Sequence, residues 1–313
     1  ARMDEKKNKL LFIDPGFPVQ KQQCKILGIG VETFDVYEYR GEKLRAKLES
    51  YLSTGEIAGI VYSSPNNPAW FCFKDEELQI IADLANKYDV VVLEDLAYFG
   101  MDFRQDYGKP GVAPFQPSVG KYTDNYALLI SGSKAFSYAG ERCAIIGISD
   151  KLAVRHYPDL KKFCGQEVFL RGILFGALHP LTSGTSHSAQ YALAGVMKAV
   201  NDGTYNYRDD VLEYGRKAKL MKDAFTSNGF TITYDEDLGE PIADGFYFTY
   251  CYPGFTGADL VEEMMYYGIS AISLDTCGST KQGIRACTSL IQREEIPVLA
   301  ERLAMFAKDH PVK

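Results

Sequence analysis

The chain of 313 residues predicts an α/β fold, with a large domain built on a mostly parallel sheet sandwiched by helices and a smaller C-terminal α+β domain. Three observations predict it. Helix-period and strand-like segments alternate from residue 42 onward. The strand-like segments of that stretch are apolar throughout, as strands covered on both faces of a parallel sheet are. After Asn228-Gly229, a natural helix stop, the rhythm changes to short strands around few helices.

Glu42 to Leu52 carries Leu44, Leu48 and Leu52 four apart, on one helical face. Ile57 to Tyr62 is a strand-like run, and Lys74 to Tyr88 repeats the helical stripe at Leu78, Ile81, Leu84 and Tyr88. Val90 to Leu93 then reads as a buried strand. Strand, helix and strand in that order imply a right-handed crossover between parallel neighbours. Tyr126 to Ile130 and Cys143 to Ile148 add strands, while Lys151 to Phe163, Ala189 to Val200 and Asp209 to Ser227 have the spacing of helices. The Asn201-Asp202-Gly203 turn marks the domain boundary, giving a large domain over 1–204 and a small one over 205–313 that begins with an interdomain helix. Short strands at Phe230 to Tyr234, Phe246 to Cys251, Ile269 to Ser273 and Gly283 to Cys287 surround a helix at Ala258 to Tyr267, and a last helix spans about Ile296 to Lys308. Gly28-Ile29-Gly30 has no third glycine at the spacing of a dinucleotide loop and reads as a connector.

Composition narrows the function classes. A formal charge of −7 without long Lys/Arg runs argues against a nucleic-acid partner. No apolar stretch approaches the length of a membrane helix, and the first residues lack a signal-peptide core, so no membrane association and a cytoplasmic location are expected. Seven cysteines without CxxC spacing fit reduced thiols, and four scattered histidines offer no metal pattern, so no metal is expected.

In open α/β sheets ligands bind beyond the carboxyl ends of the strands. Three such ends carry short polar clusters: Ser64-Pro65-Asn66-Asn67-Pro68, then Glu94-Asp95-Leu96-Ala97-Tyr98, then Ser131-Gly132-Ser133-Lys134 followed by Gly140-Glu141-Arg142. SPNNP, DLAY and SGSKAFSYAGER resemble, in order, three consecutive signatures of the class I and II aminotransferases, which are pyridoxal-phosphate (PLP) enzymes of fold type I. Asn67 precedes Asp95 by 28 residues, Tyr98 follows it by three, and Arg142 follows Lys134 by eight, all in keeping with the family pattern.

The resemblance implies a role for each residue. Lys134 carries the cofactor as a Schiff base and later moves the Cα proton, which requires an amine with a lowered pKa. Asp95 keeps the pyridine nitrogen protonated, so that the ring accepts the electron pair released at Cα. Tyr98 and Asn67 hydrogen-bond the ring's phenolic oxygen, and Ser131, Ser133 and Arg142 hold the phosphate. Gly283-Ile284-Arg285-Ala286-Cys287 resembles the small-domain strand whose arginine, here Arg285, binds the substrate carboxylate in a bidentate fork, with Ala243-Asp244-Gly245-Phe246-Tyr247 preceding it.

The implied function is amino transfer between an L-amino acid and a 2-oxo acid by a homodimer, with the loop from Phe99 to Tyr107 a candidate for its interface. A PLP-dependent carbon–sulfur β-lyase shares the same residues, and a PLP-binding module of a transcription factor or a fragment that no longer binds the cofactor are further readings. Relatives carry about a hundred residues before the stretch that begins here. The resemblance therefore places a phosphate-binding turn and a ring-stacking aromatic upstream. Ala69-Trp70 after Asn67-Pro68 departs from the family pattern, in which many relatives carry a Thr or Leu and then Gly.

Overall fold

The computed structural model describes residues 2–312. Its first sheet is formed by β1 (Lys9–Asp14), β2 (Gly30–Asp35), β3 (Ile57–Ser63), β4 (Val91–Asp95), β5 (Tyr126–Ser131) and β6 (Ala144–Ile148), in the order β2-β1-β3-β4-β5-β6. The first five strands are mutually parallel, and β6 runs antiparallel to β5. Helices α1 (Pro18–Ile26), α2 (Lys43–Leu52) and α3 (Asp75–Tyr88) are the crossovers of the first four strands. All seven residues of β3 are buried, as an uninterrupted apolar run requires when both faces are covered. In α3 the acidic first turn of Asp75, Glu76 and Glu77 suits the positive end of the helix dipole, and Glu77 accepts the Lys74 N–H at 3.1 Å.

Two elements of this sheet are faint in the sequence. Helix α1 buries only Cys24, so it has no apolar stripe to find. Strand β2 is a half-exposed edge, and its GVETFD lacks a continuous apolar run. The helix expected over Lys151 to Phe163 is instead two short ones, after α4 (Gly132–Ala135): α5 (Asp150–Ala153) and α6 (Leu160–Cys164). Pro158 lies between them; it supplies no N–H and disfavours helical backbone at Tyr157. Helix α7 (Phe169–Ile173), a π turn at Leu174–Leu178 and α8 (His179–Thr182) then lead to α9 (His187–Asn201).

Helix α10 (Tyr207–Thr226) links two cores. Its Tyr207 and Val211 pack with the first sheet, while Ala218, Met221 and Phe225 enter a second core with Phe248, Tyr250, Leu260, Ile284, Leu303 and Phe306. That core lies under a four-stranded antiparallel sheet, made of β7 (Thr231–Ile232), β10 (Tyr247–Cys251), β11 (Ile272–Ser273) and β12 (Ile284–Cys287) in the order β11-β12-β10-β7. The hairpin of β8 (Glu236–Asp237) and β9 (Glu240–Pro241) and helices α11 (Gly257–Tyr266) and α12 (Ile296–Asp309) complete the chain.

Buried charge joins the two parts. Arg40 donates from Nε to Glu77 Oε1 at 2.7 Å and from Nη2 to Asp237 Oδ1 at 3.0 Å, and Arg104 Nη2 donates to Asp237 Oδ2 at 2.8 Å. Asp35, at the end of β2, accepts from Tyr234 Oη at 2.9 Å and from the Thr280 N–H at 2.9 Å. These bonds orient the second sheet over the carboxyl ends of the first.

Strand alternation sends Glu94 to the face of β4 opposite Asp95. Its Oε2 accepts from Ser118 Oγ at 2.6 Å and from the Val119 N–H at 3.1 Å. Burial still pushes this carboxyl up to about 7, from an ordinary value of 4.5. Because the folded state binds the proton more tightly than the unfolded chain, the contribution of Glu94 to stability is greatest below pH 4.5 and is lost as the pH rises toward 7. Denaturant midpoints measured across that window should fall less steeply in Glu94→Gln than in the wild type; identical slopes would refute this.

Candidate active site

The parallel register levels three strand ends. Ser63 pairs with Asp95, and Asp95 with Leu129, so the turns that follow β3, β4 and β5 open on one side of the sheet. Asn67, Asp95 and Tyr98, and Ser131 to Lys134 leave from these turns. Asn67 is buried, and its backbone N–H donates to Ser63 Oγ at 3.2 Å. Ser131 caps α4, its Oγ accepting the Ser133 N–H at 3.1 Å, and this turn lifts Lys134 off the end of β5.

Lys134 Nζ stands 4.8 Å over the ring of Phe246, at the start of the second sheet. Burial, aided by the Arg285 and Arg142 charges and opposed by the Cys287 sulfur, holds its pKa below the ordinary lysine value. Arg142 itself is exposed, with φ 54° and a hydrogen bond from Nη1 to Ala139 O at 2.7 Å.

Asp95 accepts the Ala97 N–H on Oδ1 and the Gln20 amide on Oδ2, each at 3.0 Å, and burial raises its pKa despite both bonds. Gln20 was not singled out from the sequence; it lies in the first turn of α1, just past the carboxyl end of β1, where the strand-end rule extended by one strand would have found it. Phe17, three residues earlier at the cap of α1, is 43% exposed.

Tyr98 is buried, and burial together with the neighbouring Tyr247 and the Asp95 charge pushes its phenol well above 10. From the second sheet, Arg285 on β12 reaches across and donates from Nη1 to Asn67 Oδ1 at 2.9 Å, with its guanidinium 4.2 Å above the Tyr247 ring. Its Nε is buried without a partner. Asn67, Tyr98, Lys134 and Arg285 thus converge on one cleft between the two sheets, with Asp95 at its floor. Ser131, Ser133 and Arg142 flank it on the α4 side. A cavity of about 700 Å³, lined by Met221, Phe225, Tyr250 and Leu299 and sharing Arg285 and Cys287, lies on the helix-covered face of the second sheet, away from Lys134.

Chemically, the cleft combines an amine of lowered pKa, a half-buried carboxylate, a phenol and two guanidinium groups. That set can form an imine with an aldehyde, hold a proton on a ring nitrogen and bind anions. Among the described residues no group of three or more His, Cys, Asp or Glu side chains is placed to hold a metal, and no helix is long and apolar enough to cross a membrane.

Comparison with known proteins adds to this geometry. The family model described as "Aminotransferase class I and II" matches residues 3–303. Cystathionine beta-lyase of Corynebacterium glutamicum is 23% identical over 161 residues, covering 51% of this chain and 41% of the lyase. Nicotianamine aminotransferase 1 of Oryza sativa is 25% identical over 143 residues, covering 45% of this chain and 27% of the rice protein. These matches span less than half the length of either relative. A tetra mutant of Thermus thermophilus aspartate aminotransferase superposes with a TM-score of 0.72 at 16% identity, covering 97% of this chain and 75% of that one, a likeness of fold.

Proposed function

Because this chain belongs to the class I and II aminotransferase family, whose members are PLP-dependent, we propose that it moves an amino group between an L-amino acid and a 2-oxo acid through Lys134. The convergence of Lys134, Asp95, Asn67, Tyr98 and Arg285 on one cleft is the observation that carries this reading. The residues present fit the cofactor. Lys134 would hold it covalently through an amine that burial keeps easier to deprotonate. Gln20 shows that Asp95 Oδ2 faces a donor, the position a protonated ring nitrogen would take. Asn67 and Tyr98 would bond its phenolic oxygen, and Ser131, Ser133 and Arg142 its phosphate. We assign the stacking aromatic to the exposed ring of Phe17, on the turn that leads to Gln20, in place of an upstream residue.

When bound, the cofactor supplies an electron sink for the pair left at the substrate Cα. The chain's residues do the rest. Arg285 holds the substrate carboxylate, exchanging its bond to Asn67 for a two-pronged one and giving its orphaned Nε an acceptor. Lys134 Nζ, freed when the substrate amine takes its place, would take the proton from Cα and hand it to the cofactor's former aldehyde carbon, a role its lowered pKa favours. In this reading residues 1–204 carry the cofactor and 205–313 the carboxylate binder. The protein acts as a homodimer, and exposed apolar side chains such as Phe175, Leu181 and Tyr191 are available for its contacts. The Phe99 to Tyr107 loop fits such an interface poorly, since Met101 and Asp102 within it are buried in the chain's own fold.

A carbon–sulfur β-lyase is the second reading, favoured by the likeness to the Corynebacterium enzyme. It needs the same deprotonation, with a sulfur leaving Cβ afterwards. Incubating the PLP-loaded protein with a panel of amino acids should give 2-oxo acids beyond one equivalent per site only when an acceptor oxo acid is supplied; repeated release of pyruvate from cystathionine without an acceptor would overturn the transfer reading. Arg285→Lys should raise the amino-acid KM by about 10- to 100-fold and alter kcat less, since an ammonium cannot reproduce the planar fork. An unchanged KM would remove Arg285 from the carboxylate site.

A further inference from the structure

Ala69-Trp70 departs from the family pattern, and the structure shows what stands there. Trp70 is the single tryptophan of the chain, is fully buried, and has left-handed backbone at φ 64°. A bulky side chain rarely adopts that conformation, and such outliers persist where the surroundings over-determine them, often beside functional sites. Here the surroundings are the turn itself. Trp70 N donates to Asn66 O at 3.0 Å, Asn66 N to Phe71 O at 2.8 Å, Ala69 N to Asn66 Oδ1 at 3.1 Å, and the Asn66 amide to Pro15 O at 2.9 Å. The turn that presents Asn67 to the cleft is thereby the turn that aims the indole.

One side of the indole meets aromatic edges. It lies T-shaped to Tyr98, with centroids 5.3 Å apart, and to Tyr247 at 6.2 Å. It also meets the backbone of Gly245 so closely that a β-carbon there would come within 2.1 Å of the ring. The indole N–H is buried and has no acceptor, so the position uses the breadth of the ring and not its hydrogen bond. Gly245 and Phe246 lead into β10 at Tyr247, and Tyr98 lies in the turn after β4. The indole therefore packs where the strand that places Phe246 beneath Lys134 meets the turn that holds Tyr98, whose own ring lies 5.9 Å from Phe246 and 5.6 Å from Tyr247.

Resting on the function proposed above, we infer that Trp70 is a positioning residue. Its indole, wedged between the turn after β3 and Gly245, sets the Tyr98 phenol at the cofactor's site and spaces the two sheets so that Arg285 reaches Asn67. A smaller ring would leave a void into which Tyr98 can tilt. A β-carbon at 245 would displace the indole from its place beside Tyr98.

The test uses the PLP-loaded protein. Trp70→Phe should lower kcat by about 10- to 100-fold, as small misplacements of catalytic groups do, with a much smaller change in KM. It should also move the pH midpoint of the cofactor's visible absorbance in the direction that Tyr98→Phe moves it. The Trp70→Phe/Tyr98→Phe double variant should then move it no further, since residue 70 acts through the phenol. Gly245→Ala should repeat the kcat loss. Emission of the unmodified protein serves if these variants do not fold: the single indole should emit as a buried one and be strongly quenched when PLP is added. A folded Trp70→Phe with wild-type kcat and midpoint, an additive double variant, or emission indifferent to PLP would each overturn the inference. Were Tyr98→Phe alone to leave the midpoint unmoved, the role of Tyr98 in the proposed function would fail as well, which separates the two failures.

Discussion

Replacing Lys134 by alanine is expected to lower amino transfer by about 10⁴-fold, the upper range for loss of a positioned proton-transfer group. No other described side chain can stand in. Lys217, the other lysine with a pKa lowered by burial, donates to Ile291 O at 2.9 Å and is held by the loop after β12. The same variant should lose the borohydride-reducible PLP adduct that peptide mass spectrometry would find at Lys134 in the wild type. Circular dichroism should be unchanged, because Lys134 lies in a four-residue helix at the cleft surface and its side chain supports neither core. An adduct at another lysine, or activity within a few-fold of wild type, would withdraw the proposed function.

The second large effect is on stability. Arg40→Leu is expected to cost about 3–5 kcal/mol, the range for removing one partner of a buried ion pair. Arg40 is 8% exposed, its partners Glu77 and Asp237 are 1% and 0% exposed, and water cannot replace the lost guanidinium. Arg104 would still cover Asp237 Oδ2, so the uncompensated charge falls mainly on Glu77. Urea denaturation should show a lowered midpoint in Arg40→Leu, and a partial return in Arg40→Leu/Glu77→Gln, where the stranded charge is gone. A midpoint within experimental error of wild type would show that the network is solvated and does not bind the two sheets together.

Much of the first sheet was legible because its strands are buried on both faces, and continuous burial writes continuous apolar runs such as Ile57 to Tyr62. Where burial is one-sided the record fades. Strand β2 and helix α1 meet solvent and went unread, although α1 brings Gln20 to Asp95. The expected Lys151 to Phe163 helix shows the opposite failure, a helical apolar period that Pro158 interrupts.

The sequence by itself determined the identities and order of the groups at three strand ends, because a polar cluster after an apolar run is a local pattern. It named Asn67, Asp95, Tyr98, Ser131, Ser133, Lys134, Arg142 and Arg285 without showing which would meet. Only the tertiary structure decided that Arg285 crosses 218 residues of chain to bond Asn67, that Phe246 lies beneath Lys134, and that Trp70 is wedged against Gly245. Such meetings depend on how two cores and a buried ion network set one sheet against the other. That placement is a property of the whole packed chain, and no spacing along it encodes the distance.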